Sequence, residues 1–151
     1  MNVLLDTNIL TRMAQPGHFQ YQIAIDATDT IGQRGDTPCL IPQVLYEFWV
    51  VATRPVSQNG LGFDVATTTT ELSRIKSLFA LFPDTATIFP EWEHLVTTLQ
   101  VVGKEAHDAR IVAAMKIHGL IHILTLNTAD FARYPGVVPL DPATIGAPPK
   151  P

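Results

Sequence analysis

Asn2-Val3-Leu4-Leu5-Asp6-Thr7-Asn8 opens the chain with an apolar run that stops on an acid, and helical spacing follows from about Asn8 to Ala14 until Gln15-Pro16-Gly17 ends it. That reads as a short buried strand, a polar turn and a helix. The pattern recurs downstream. Phe19, Ile23, Ala27 and Ile31 repeat every four residues within 18–34, which places them on one helical face before Gly35-Asp36. Pro38 to Ile41 reads as a second strand, and Pro42 pre-sets the first turn of a helix that Pro55 stops after Arg54. Val56 to Phe63, with Asn59-Gly60 and Gly62, is a turn-rich loop. Asp64 caps a predicted helix reaching about Phe82. Beyond it the sequence predicts a strand over Thr85 to Phe89 and helices over 90–102 and 106–118, the last closed by Gly119. Strands follow over Ile121 to Leu126 and about Val137 to Leu140.

Short apolar strands separated by helices predict an α/β fold with a mainly parallel sheet, because parallel strands need crossover connections. The 151 residues suit one domain, expected over 1–145, and 146–151 reads as a flexible Pro-rich tail. Ten Lys and Arg against fourteen Asp and Glu give a formal charge of −4, so a nucleic-acid partner requires a local basic patch. The single cysteine, Cys39, permits no intrachain disulfide, the start lacks the pattern of a secretory signal, and no apolar run is long enough to suggest a membrane span. A cytoplasmic protein with no membrane partner is expected.

In parallel sheets ligands bind beyond the carboxyl ends of strands. Two such ends carry polar clusters: Asp6-Thr7-Asn8, and Thr125, Asn127 and Asp130. Asp6 directly after a buried strand needs hydrogen bonds or a cation, or serves simply as a helix N-cap. Glu47 stands inside the apolar run from Val44 to Ala52, where a solvated glutamate fits poorly and the plain alternatives are partial exposure or pairing with an arginine such as Arg54. Asp108 begins a predicted helix, where a carboxylate also suits the macrodipole. Asp130 and Asn127 are equally placed to cap a turn. Taken together, these are four acids at separated element ends in a fold whose strand ends converge. A shared cluster would repel itself without cations, and oxygen-only ligands point to Mg2+ or Mn2+.

Other chemistries lack their residues. The five histidines show no HExxH or paired His/Cys spacing, and there is no GxSxG, no phosphate-binding Walker loop and no GxGxxG. An acid phosphatase of the Asp-x-Asp type fails at position 8, which is Asn8.

The segments Leu4-Leu5-Asp6-Thr7-Asn8-Ile9-Leu10, Pro42 to Phe48 around Glu47, His107 to Ala114 around Asp108, and Leu124 to Phe131 with its N-x-x-D-F pattern resemble, in order, the motifs of the PIN-domain nucleases. The resemblance is to the VapC-like toxins of bacterial toxin–antitoxin pairs. Val51-Ala52-Thr53-Arg54-Pro55 and Asn59-Gly60-Leu61-Gly62 resemble a subgroup of them. It implies a sheet with helices on both faces, an acidic metal-binding pocket, an RNA substrate, an antitoxin protein as partner, and a homodimer. On that resemblance Asp6 and Asp108 hold Mg2+ or Mn2+, Asp130 completes the site or holds a coordinated water, and Glu47 orients the attacking water or a second ion. Thr7, Asn8, Thr125 and Asn127 then hold the carboxylates by hydrogen bonds, unless each is a simple cap. Arg110 contacts phosphate or pairs with an acid, against the plain reading of a surface arginine. His107 is a weaker candidate for proton relay. Arg12, Arg54, Lys104, Arg110, Lys116 and Arg133 are the cations available to border the pocket. The competing expectation is a non-catalytic module that binds RNA or protein through the same fold.

Overall fold

The first strand of the chain becomes the middle strand of the sheet. In the computed structural model, which describes residues 1–145, β1 (Asn2–Leu5) pairs on one side with β2 (Thr37–Leu40) and on the other with β4 (His122–Leu124). β3 (Ala80–Leu81) extends the sheet beyond β2, and β5 (Val138–Leu140) extends it beyond β4, so the order is β3-β2-β1-β4-β5 with every pairing parallel. Val3, Leu4 and Leu5 point alternately to opposite faces and are all buried, as are Ile123 and Leu124. Both faces of the sheet are therefore covered.

The covering comes from α1 (Thr7–Met13), α2 (Tyr21–Gln33), α3 (Pro42–Thr53), α4 (Val65–Leu78), α5 (Ile88–Thr98), α6 (Glu105–Ile117), α7 (Thr128–Phe131) and α8 (Pro142–Ile145). α1 packs against α2 and α3, α3 against α4, and α2 against α8; α6 packs against α5 and α7. Pro42 occupies the first turn of α3, and Asp64 caps α4 by accepting the Thr67 N–H at 2.7 Å. The core includes Phe48, Phe131, Ile111 and Met115. The loop after α3 is pinned by backbone bonds from Leu61 to Val51, Gly62 to Arg54 and Phe63 to Ala52. A Cβ at Gly60 would stand 1.9 Å from the Arg54 carbonyl oxygen, so only glycine fits there.

Several sequence-based expectations need correction. Phe19 and Ile23 share a spacing with Ala27 and Ile31 but not their burial: Phe19 precedes α2 and is 86% exposed, and Ala24 takes the inward position beside Ala27. Residues 80–81, expected in the helix after Asp64, form edge strand β3, because α4 ends at Leu78. Thr85 to Phe89 is not a strand; its end enters α5. The short helices α7 and α8 were not predicted. The expected tail, 146–151, lies outside the described residues. No helix among the described residues is long and apolar enough to cross a membrane.

Candidate metal-binding active site

The chain lays down β1, β2 and β3 outward in one direction and then returns to place β4 on the opposite side of β1. The strand order reverses between β1 and β4, and in parallel sheets ligands bind at that point, outside the carboxyl ends. The register aligns Leu5 with Leu124, so the next residues, Asp6 and Thr125, emerge side by side. The Asp6 N–H donates to the Leu124 carbonyl at 3.0 Å and continues the ladder to the rim of the site.

Asp6 is both an N-cap and a pocket residue. Its Oδ1 accepts the Thr7 N–H at 2.7 Å, and its Oδ2 accepts the Thr125 hydroxyl at 2.7 Å and the Asn8 amide at 3.1 Å. A carboxylate offers about four lone-pair directions, so three bonds fix its orientation and leave it one open acceptor. Thr125 Oγ1 also accepts from Asn8 Nδ2 at 3.2 Å and from the Asn127 N–H at 3.0 Å, while Asn8 Oδ1 accepts the Leu126 N–H at 3.1 Å. Asn8 and Thr125 thus tie the first turn of α1 to the loop after β4. Thr125 is fully buried behind Asp6, whereas Thr7, Asn8 and Asn127 line the cavity.

Glu47 reaches the same place from the middle of α3. Its Oε2 accepts the Thr7 hydroxyl at 2.7 Å, and its Oε1 accepts the Gln43 amide at 2.9 Å. Gln43 also donates to the His107 carbonyl at 2.8 Å, and its own oxygen accepts from Arg110 at 3.1 Å. Arg110 pairs besides with Asp84 at 3.1 Å. It therefore touches none of the four pocket acids, contrary to one expectation, and meets the site only through Gln43. The exposed His107 contributes its backbone carbonyl.

Asp6, Glu47, Asp108 and Asp130, from four separate elements, line one cavity of about 280 Å3 with Thr11, Arg12 and Asn59. Of the six cations named from the sequence, Arg12 alone is among its lining residues. Sequence reasoning missed Gln43, which stands one helical turn before Glu47 and was visible as an i, i+4 amide–carboxylate pair. It also missed Asn59 as a pocket residue, although its left-handed backbone (φ 62°) beside Gly60 marks a fixed turn.

The electrostatics show how crowded the acids are. Burial raises the Asp6 carboxyl to about 6; the Thr125 and Thr7 hydrogen bonds pull it back, and the charges of Glu47 and Asp130 push it up. Asp108 is also raised to about 6, by burial first and then by Asp130, Asp6, Glu47 and Glu105. Such a set, all oxygen donors with excess negative charge, has the chemistry of a hard divalent cation site. The carboxylates stand apart around the cavity: no three His, Cys, Asp or Glu among the described residues are gathered closely enough to hold one ion.

Comparison with known proteins agrees with the architecture. The chain is similar to the VapBC2 structure from Rickettsia felis bound to a promoter DNA fragment, at 17% identity over 93% of this chain and 98% of that one, with a TM-score of 0.69. It is similar to a chain of a toxin–antitoxin complex from Klebsiella pneumoniae, at 24% identity over 90% and 95%, with a TM-score of 0.58. It is also similar to VapC20 of Mycobacterium tuberculosis, a sarcin–ricin loop cleaving toxin, at 16% identity over 80% and 86%, with a TM-score of 0.56. At these identities the likeness speaks for the fold. No curated protein matches the chain by sequence. The PIN domain family model matches residues 3–137, a span that contains β1 from Val3 onward, β2, β3, β4 and all four pocket acids, and by that match the chain belongs to the PIN domain family.

Proposed function

We propose that this protein is a divalent-metal-dependent endoribonuclease, the toxin of a toxin–antitoxin pair. One observation carries the reading: Asp6, Glu47, Asp108 and Asp130 converge from distant parts of the chain on a single cavity at the switch point of the sheet. Asp6 and Asp108 are the residues that would hold Mg2+ or Mn2+, with Asp130 completing the set. A cation bound there supplies an activated water and neutralises charge at the phosphoryl oxygens. Thr7, Asn8 and Thr125 hold the Asp6 carboxylate in one orientation, and Asn127 fixes Thr125 through its backbone N–H. Glu47 is held by Thr7 and Gln43 through one bond to each oxygen, which leaves each oxygen an acceptor position for the proton of the attacking water.

The toxin part of the reading is supported by the Klebsiella complex and by the loop-cleaving activity named for VapC20. An antitoxin protein is the partner it implies. A homodimer belongs to the same proposal: Tyr46 and Val50 leave apolar surface on α3, whereas Phe48 is spent in the core. The separation of the carboxylates favours a second reading, a non-catalytic RNA- or protein-binding module.

Incubation of the purified protein with a mixed cellular RNA pool separates the two. Cleavage with Mg2+ or Mn2+, abolished by EDTA and by folded Asp6→Asn and Asp108→Asn variants, is the expected result. Intact RNA with a folded, metal-loaded and antitoxin-free sample would shift the reading to a narrow-substrate nuclease or to the binding-only module.

A further inference from the structure

Arg12 lines the carboxylate cavity yet pairs with none of its acids. Its Nε donates to Gln20 Oε1 at 3.1 Å and its Nη1 to Gln15 Oε1 at 2.8 Å. Arg74, Arg110, Lys116 and Arg133 each stand beside a carboxylate, whereas Arg12, like Arg34, Arg54, Lys76 and Lys104, has no such partner among the described residues, and of these Arg12 alone lines the cavity. Two neutral oxygens orient the guanidinium without cancelling its charge. The arrangement keeps a full positive charge at the cavity wall for an incoming anion.

The segment that holds Arg12 also carries an exposed aromatic surface. Gln15 lines a second cavity, of about 380 Å3, with Pro16, His18, Leu61 and Phe63. The His18 ring stacks on Phe19 with centroids 4.6 Å apart and planes at 24°, and His18 Nδ1 accepts the Gln20 N–H at 3.0 Å. Phe19 is 86% exposed and contributes nothing to the core. Leu61, which lines that cavity with His18, is fixed by its backbone bond to Val51. A fixed cation followed by an exposed stacked ring pair is the combination that binds unpaired nucleotides: charge for the backbone, a ring face for the base.

We propose that single-stranded RNA runs from the carboxylate cavity across Arg12, which holds a phosphate adjoining the scissile one, and lays a flanking base on the Phe19–His18 stack. This track rests on the nuclease reading for its substrate. An unpaired strand is required, because paired bases do not expose their faces.

The test is binding of a short fluorescein-labelled single-stranded RNA, read by anisotropy over a salt series with the Asp108→Asn protein so that the probe stays intact. In that background Arg12→Gln is expected to weaken binding and flatten the log–log salt slope by about 0.7, the share of one phosphate on a single strand. Phe19→Ala is expected to weaken binding roughly tenfold to a hundredfold with the slope unchanged, and Phe19→Trp to preserve affinity. Neither position is in the core, and circular dichroism checks the fold of each variant. An unchanged slope in Arg12→Gln, an unchanged affinity in Phe19→Ala, or no RNA binding at all overturns the track; unchanged affinity would leave the exposed ring to a protein partner. Cleavage by the wild-type protein is scored in parallel. Cleavage with an unresponsive track rejects the track alone, whereas a responsive track without cleavage supports the track and rejects the nuclease reading.

Discussion

Lowering the pH should make the metal-free protein more stable, the reverse of ordinary acid denaturation. Asp6 titrates at about 6 in the folded chain against 3.8 unfolded, so the folded state binds the proton more tightly. Stability is therefore lowest above about pH 6 and is regained as the pH falls toward the unfolded value. A shift of two units corresponds to about 3 kcal/mol when the group is fully ionised. Between about pH 7.5 and about pH 5, roughly half of that returns. Asp108 is raised in the same direction but is partly exposed, so solvent screening reduces its share. Together they give about 2 kcal/mol, and for a domain of this size about 4–8 °C in melting temperature. His18 works the other way, since burial and then Arg12 hold it below its ordinary range and acidification costs stability there. The assay is therefore a difference: melting temperature against pH in EDTA for the wild-type protein and for the Asp6→Asn/Asp108→Asn double variant. The wild-type curve should rise on acidification relative to the double variant. Parallel curves would refute the claim that burial and mutual repulsion strain these carboxylates.

Other perturbations test neighbouring parts of the structure. Saturating Mg2+ or Mn2+ should raise the melting temperature near pH 7.5, by about 3 kcal/mol of stabilisation at a hundred times Kd, and the gain should shrink near pH 5 as the carboxylates protonate; an equal gain at both pH values would place the ion elsewhere. Thr125→Val removes the bond that holds Asp6 down and leaves the Asn127 N–H without its acceptor, so it should push the Asp6 titration above about 6 in carboxyl NMR and cost about 1–3 kcal/mol in urea denaturation. Gly60→Ala drives a methyl group into the Arg54 carbonyl and should cost about 1–3 kcal/mol in the same assay; a neutral result would show that the loop is free to shift.

What the sequence disclosed follows from how local each signal is. The end of β1 at Asp6, the start of α3 at Pro42 and the cap at Asp64 were readable because an apolar run, a proline and an N-cap act within a few residues. Edge strand β3 was not, since Leu78-Phe79-Ala80-Leu81-Phe82 suits a helix and a strand equally, and only its pairing with Cys39 and Leu40 decides. Phe19 and Ile23 misled because periodicity says which residues share a face, not whether anything covers it. The four acids could be named individually from their surroundings. Their meeting around one cavity depends on β4 returning beside β1, and Asn59 joins them by tertiary folding alone, whereas Arg12 lies on the helix that Asp6 caps.

The placement of β1 at the centre of the sheet also sets when the pocket can exist. Asp6 leaves the ribosome 119 positions before Thr125, which fixes it, and Asp130 follows later still. A strand flanked by such distant partners cannot complete its pairing until β4 has emerged, because long-range contacts form only after the intervening chain is made. A nascent chain therefore carries the first acid of the cluster without an assembled site while the intervening residues are made, and whatever chemistry the pocket performs is withheld until Asp130 has emerged.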